Sequence, residues 1–174
     1  LSPEQGLEYL ARCISLDSPA AMSELRDKTI LGDCMSVLPL LPRAFADLII
    51  ADPPYNMNKA FGENAFHRLS EDEYYKYTLR WLELVRPLIK DTGSIYVCCD
   101  WQCSLVIGQV LSELMTVRSR ITWQREKGRG AASNWKNGME DIWFAVKGNN
   151  FTFNLDAVKV RRKVIAPYRA DGQP

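Results

Sequence analysis

Residues 51–55 read Ala-Asp-Pro-Pro-Tyr and follow directly on the apolar run Leu48-Ile49-Ile50. No other segment of the chain restricts the backbone so tightly. Each proline holds φ at about −65°, removes an N–H and biases the residue before it toward extended geometry. A strand that reaches Ala51 must therefore end in a rigid turn, whose carbonyl oxygens face outward with no backbone donor to compete for them. Asp52 adds a strong acceptor and Tyr55 adds a flat face. Two acceptors beside a stacking ring suit an NH2 group on an aromatic ring, such as the exocyclic amine of a base. A plain strand-to-loop turn is the alternative, because Asp-Pro pairs commonly open turns.

The rest of the pattern predicts an α/β fold. Residues 3–26 carry helical spacing (Leu7, Leu10, Ala11, Ile14, then Ala21, Met22, Leu25) and are expected to form one or two covering helices. Thr29–Leu31 and Leu48–Ala51 are short apolar runs, read as buried parallel strands. Ser70-Glu71-Asp72-Glu73 has the capping-box pattern. The helix it opens carries an apolar stripe at Tyr74, Thr78, Trp81, Val85 and Leu88, which faces a sheet. Thr92-Gly93 is expected to end a turn before a strand at Ser94–Cys99, and a helix follows over about residues 101–115. Val117, Ser119, Ile121 and Trp123 alternate with polar neighbours, which predicts a strand exposed on one face. Asp141–Val146 reads as a further strand, and Phe151–Leu155 as the start of another. The β-α-β-α-β succession puts Asp52 and Asp100 at carboxyl ends of strands, where open α/β sheets bind ligands.

Composition limits the chemistry more than it specifies it. The 174 residues are 47% hydrophobic, enough for one core, and no apolar run reaches the roughly 18 residues of a membrane span. The five cysteines, at 13, 34, 98, 99 and 103, show no CxxC pair and read as reduced residues of a cytoplasmic protein. His67 is the only histidine, so triads and metal sites built on histidine are disfavoured, and no metal is expected. The chain opens on Leu1 without a signal-peptide pattern or an initiator methionine, which points to a processed, trimmed or partial chain. Net charge is only +1, but it is unevenly spread. Arg118–Lys136 holds six basic residues against Glu126, and residues 157–174 hold five against Asp171. Such clusters suit a phosphate backbone, with a solvated basic surface as the alternative.

At this point the chain resembles a family. Asp52-Pro53-Pro54-Tyr55 after a hydrophobic strand is similar to the catalytic motif of DNA amino-methyltransferases, which act on adenine N6 or cytosine N4. Gly32-Asp33-Cys34, Val37–Pro42 and Asp47–Ile50 resemble the lead-in to that motif where it lies near the N-terminus. Thr92–Val97, Ile121–Trp123 and Glu140–Asn154 follow in the family's order, so the likeness covers roughly residues 28–160. It implies a Rossmann-like S-adenosylmethionine-dependent methyltransferase fold, with a mostly parallel sheet and a C-terminal antiparallel hairpin. The chain then divides into a helical extension at 1–27, a catalytic region at 28–160 and a basic tail at 161–174. Aspartate at position 52 favours adenine N6; cytosine-N4 enzymes more often carry serine there.

The resemblance also assigns roles. Asp52 and the Pro53 carbonyl accept the two amine hydrogens of a flipped base, Pro54 stiffens the turn, and Tyr55 stacks on the ring. Asp33, with Cys34 beside it, falls near the adenine of the S-adenosylmethionine cofactor, which Asp52 also approaches; an N-cap for the next helix is the alternative for Asp33. Asn56, Lys59, Trp123, Arg125, Lys127 and Arg129 are candidate contacts to double-stranded DNA, against loop-surface or core-packing alternatives. The segment Lys127–Asn134 reads as a mobile loop over the DNA face, or as a hairpin connection. The family's Phe-x-Gly-x-Gly cofactor loop is missing from the ten glycines. The expectation is a catalytic half in permuted order, with the cofactor loop lost from the chain or carried by a complementary subunit; a homodimer is a further option. Cytosine-N4 transfer, glutamine-amide methylation and a non-catalytic nucleic-acid-binding subunit are the competing functions.

Overall fold

The computed structural model describes residues 2–61, 64–131 and 134–160. In chain order it has helices α1 (Pro3–Ala11), α2 (Met22–Leu25) and α3 (Cys34–Val37), then strands β1 (Ala46–Ala51), β2 (Lys59–Phe61) and β3 (Asn64–Phe66). Helix α4 (Glu71–Val85), strand β4 (Ile89–Cys99), helix α5 (Trp101–Leu114), strands β5 (Thr116–Ala131) and β6 (Asn134–Val146), and helix α6 (Leu155–Val158) complete it. One sheet has the order β1-β4-β6-β5, and β2 pairs with β3 in a separate hairpin. The sheet is mixed: β1 runs parallel to β4, while β4–β6 and β6–β5 are antiparallel. The expected hairpin at the C-terminal side is present, and the parallel part among the described residues is a single pairing.

Helix α4 forms where the sequence predicts it. Ser70 accepts from the Glu73 N–H and Glu73 reaches back to the Ser70 N–H, a complete capping box. Tyr74, Thr78, Trp81, Val85 and Leu88 are all buried, together with Leu82. Tyr74, Trp81, Leu82 and Val85 meet α5 residues Val106, Ile107, Val110 and Leu111 and the strand residues Ile95, Val97, Cys99 and Ala145 in one core. The packing of α4 and α5 lies on this face of the sheet. Gly108 of α5 lets the helix sit against Trp143, since a Cβ there would fall 2.5 Å from the indole ring. Gly108→Ala is expected to overpack this contact and destabilise the protein by about 1–3 kcal/mol in denaturant unfolding. An unchanged midpoint would show that the ring shifts freely.

Several expectations are corrected. Residues 29–31 do not join the sheet; Ile30 makes only an isolated parallel bridge with Ile14, and Leu31 is exposed. Helices α1 and α2 bury no residue, so they do not cover the core. Thr92-Gly93 does not end a turn but lies inside β4, at an irregularity that lets Ala46 pair with Ile89 and Leu48 with Ser94. Gly93 is required there, because a Cβ would stand 2.8 Å from the Ala46 carbonyl oxygen. Phe151–Leu155 forms no strand; Asn154 instead caps α6 through the Ala157 N–H. Residues 127–131 and 134 belong to the long β5–β6 hairpin, with register shifts between Gln124 and Ala131, so the segment is a hairpin arm and not a loop. The expected tail at 161–174 lies outside the described residues.

The opposite face of the sheet is covered at Phe144 by Phe151 and Phe153 and is open at β1. Its alternating positions include Leu48, Ile50, Tyr96, Cys98, Ile142 and Ile121. Leu48 is 53% exposed and Ile50 70%, although both belong to the apolar run before Asp52. The outer edge of β1 has no partner strand among the described residues. No helix among them is long and apolar enough to cross a membrane.

Candidate functional site

Strand β1 ends at Ala51, paired with Val97 of β4, so Asp52–Tyr55 emerges at the carboxyl end of two parallel strands. Asp52 is exposed; Pro53, Pro54 and Tyr55 are half-buried. Four hydrogen bonds tie this turn to the core. The Tyr74 hydroxyl of α4 donates to the Pro54 carbonyl oxygen at 3.2 Å. The Asn56 N–H donates to Cys103 Sγ of α5 at 3.1 Å. The Asn56 side chain accepts from the Leu69 N–H at 2.7 Å and donates to the Leu69 carbonyl at 2.9 Å. Tyr74 is itself fixed by burial and by a stacked contact with Tyr77, and Cys103 lies in the first turn that Asp100 caps. The turn is thus held from both helices, while the Asp52 carboxylate stays in solvent.

The candidates separate on this geometry. The Asn56 amide, offered by the sequence as a DNA contact, is already bonded in both directions to Leu69, so it anchors the loop. Trp123 is 55% exposed on β5, opposite Glu140 of β6, and is not a core residue. Arg125 forms an ion pair with Glu140, which takes part of the charge that a phosphate would meet. Asp33 caps α3 by accepting from the Met35 N–H at 3.0 Å, and its carboxylate and Cys34 are exposed. The Tyr77 hydroxyl, next to Tyr74 on α4, is pushed up by burial and then by Cys34 and Asp33. The side chains of Lys59, Lys127 and Arg129 lie outside the described residues; their backbones run in β2 and β5.

Three residues escape the sequence reading. Tyr74 shows there only as a member of the apolar stripe, and Cys103 only as a reduced thiol. Glu140 lies in a matching segment but has no role assigned. In the structure it lies on the face of the sheet that carries Cys98, at the end where the turn emerges. Burial pushes the Tyr55 hydroxyl well above its ordinary range, and the charges of Asp52 and Glu140 push it further. The Cys98 thiol is raised by burial, then by the same two carboxylates. The Cys99 thiol, on the helix side, is pushed up to about 12, chiefly by burial. These thiols are therefore protonated and poor nucleophiles at neutral pH.

A cavity of about 420 Å³ opens on the helix side behind the turn, between Arg68 and Tyr74 at the start of α4 and Gln102 and Leu105 of α5. On the open side, the turn, Cys98, Trp123 and Glu140 gather at one end of the sheet. The result is a rigid, acceptor-rich edge with exposed aromatic surface. It can hold a flat ring by stacking and accept hydrogens from its amine.

Comparisons with known proteins agree with this geometry. A family model described as DNA methylase, for N6 and N4 enzymes, matches residues 46–164. The type II methyltransferase M1.MboII of Moraxella bovis is 31% identical over 130 residues, which are 74% of this chain and 49% of that protein. The DNA adenine methyltransferase YhdJ of Escherichia coli K12 is 32% identical over 139 residues, 78% of this chain and 47% of its own length. The chain thus spans about half the length of the curated relatives it matches. Among solved structures, the cytosine-N4-specific PvuII DNA methyltransferase superposes with a TM-score of 0.55 at 16% identity, over 70% of this chain and 49% of that one. A DNA modification methylase of Thermus thermophilus, TTHA0409, complexed with S-adenosyl-L-methionine, gives 0.55 at 14% identity, over 73% and 56%. Both likenesses concern the fold: a methyltransferase α/β domain, present here in part.

Proposed function

The chain belongs to the N6/N4 DNA methylase family, and we propose that it is the base-handling part of an S-adenosylmethionine-dependent adenine-N6 DNA methyltransferase, of the kind used in restriction–modification. The observation that carries this reading is the turn itself: an exposed Asp52 carboxylate on a backbone tied down through Pro54 and Asn56. Adenine N6 is a poor nucleophile because its lone pair is delocalised into the ring, and a duplex hides it, so the base must be extruded. Asp52 and the Pro53 carbonyl accept the two amine hydrogens and draw the nitrogen toward tetrahedral geometry. Tyr55, kept un-ionised by burial and its acidic neighbours, stacks on the ring. The nitrogen lone pair would take the methyl carbon from the bound sulfonium donor, which would keep the electron pair of the broken C–S bond, and the surplus amine proton passes to solvent beside the exposed Asp52 carboxylate. Asp52 stabilises the positive charge that develops on that nitrogen.

The cofactor, when bound, would supply that methyl group. Residues of this chain fit one end of it: the exposed Asp33 carboxylate, on the Tyr77 side of α4, suits the hydrogens of an adenine amine. Its zwitterionic end asks for backbone donors of a glycine-rich turn, and the sequence contains no Phe-x-Gly-x-Gly segment. The open edge of β1 and the bare face at Leu48 and Ile50 support the view that further polypeptide, in the same protein or a partner subunit, brings that turn.

Adenine is favoured over cytosine by aspartate at position 52. Incubating the protein with unmodified duplex DNA and labelled cofactor, followed by nucleoside analysis, is expected to yield N6-methyladenine. N4-methylcytosine alone would overturn the choice of base, and no modified base at all would favour a non-catalytic DNA-binding subunit.

A further inference from the structure

Glu140 is an acid in an unusual place. It stands on β6 opposite Trp123 of β5, one alternate position beyond Ile142, which pairs with Cys98. These positions share the open face of the sheet, at the end where Asp52–Tyr55 emerges. The Glu140 side chain is only 12% exposed, while its partner Arg125 stays half in solvent at 48%. Exposed ion pairs on a hairpin contribute little, and neither partner needs to be sunk for the hairpin to form. Burying a carboxylate has a desolvation cost that a cation partner offsets. Here the acid is inside, against the catalytic turn, and the base holds it from outside.

We propose that Glu140, seated by Arg125, is a positioning residue of the turn: with Asp52 it brackets Tyr55 and Cys98 and sets a negative potential where the reacting nitrogen becomes cationic. The inference rests on the methyltransferase reading and deepens it. Asp52 approaches from the parallel side of β4 and Glu140 from the antiparallel side, so the two carboxylates enclose the end of the strand. The raised Tyr55 hydroxyl and Cys98 thiol report that both charges reach this space. A cationic transition state is stabilised by preorganised negative charge, and the stabilisation is large where water is partly excluded. Arg125 limits the repulsion between the two acids without removing the field on the side facing Tyr55.

Two substitutions separate charge from shape. Glu140→Gln is nearly isosteric and keeps a hydrogen-bond acceptor for Arg125, but loses the charge; Glu140→Asp keeps the charge on a shorter stem. If the field matters, Glu140→Gln lowers kcat by about tenfold with KM for DNA little changed, and Glu140→Asp retains more activity than Gln. The Cys98 thiol supplies a readout independent of turnover. Removing the Glu140 charge lowers its pKa, so Cys98 alkylation at fixed pH accelerates in Glu140→Gln and not in Glu140→Asp, as peptide mapping resolves against the other four cysteines. Circular dichroism checks that both variants fold. Equal alkylation rates throughout, with Gln tolerated better than Asp, would reduce the pair to a hairpin latch and overturn the inference. A wild-type protein that transfers no methyl group would overturn the parent reading instead.

Discussion

Asp52→Ala is expected to reduce methyl transfer by at least about 10²–10³-fold while leaving the protein folded. Asp52 is exposed at the end of β1, and its truncation removes no core contact. Its surface position predicts a stability change within about 0.5 kcal/mol. The turn keeps its shape because its anchors, Tyr74 to Pro54 and Asn56 to Cys103 and Leu69, do not pass through the Asp52 side chain. The lost function is the acceptor and the charge opposite the amine. Asp52→Asn keeps one acceptor oxygen without the charge and should fall between wild type and alanine. Single-turnover rates on duplex DNA, read beside denaturant midpoints, are the measurement. A variant that retains a tenth or more of the wild-type rate would remove Asp52 from the mechanism.

Tyr74→Ala is expected to give the largest stability loss of any change near the site, about 3–5 kcal/mol. Tyr74 is 1% exposed, lies in the core with Val106, Ile107 and Val110, and stacks on Tyr77. Its removal leaves a ring-sized cavity under the turn. Tyr74→Phe isolates the hydroxyl, which donates to the Pro54 carbonyl. The cost there is about 0.5–1.5 kcal/mol, the net value of one hydrogen bond. Because that bond holds the turn, Tyr74→Phe should also slow methyl transfer more than its small stability loss explains. Chemical denaturation of both variants, with transfer rates for Phe, tests the pair. Wild-type rates in Tyr74→Phe would show that the two prolines hold the turn unaided.

The turn at Asp52–Tyr55 was legible in the chain itself. Two prolines after an apolar run stop a strand wherever they occur, since the restriction is local to each residue. The 4-3-4-3 stripe from Tyr74 to Leu88 and the Ser70–Glu73 box specify a helix and its buried face for the same reason, and the structure buries every stripe position. Local spacing does not say who meets whom. Leu48–Ile50 reads as fully buried because it is apolar, yet Ile50 is exposed, since burial depends on a neighbour and the described residues that cover that face, Phe151 and Phe153, sit at Phe144 and not at β1. Thr92-Gly93 reads as a turn, but the close approach of Ala46 makes it part of β4. Asn56 finds Cys103 across 47 residues and Tyr74 finds Pro54 across 20, contacts that follow from how α4 and α5 pack. Glu140 reaches the Cys98 face at the turn's end of the sheet only because the β5–β6 and β4–β6 registers carry it there, and a slip of one residue would turn it to the helix side. The turn belongs to the sequence; its anchoring, the placement of Glu140 and the open edge of β1 were decided by long-range pairing.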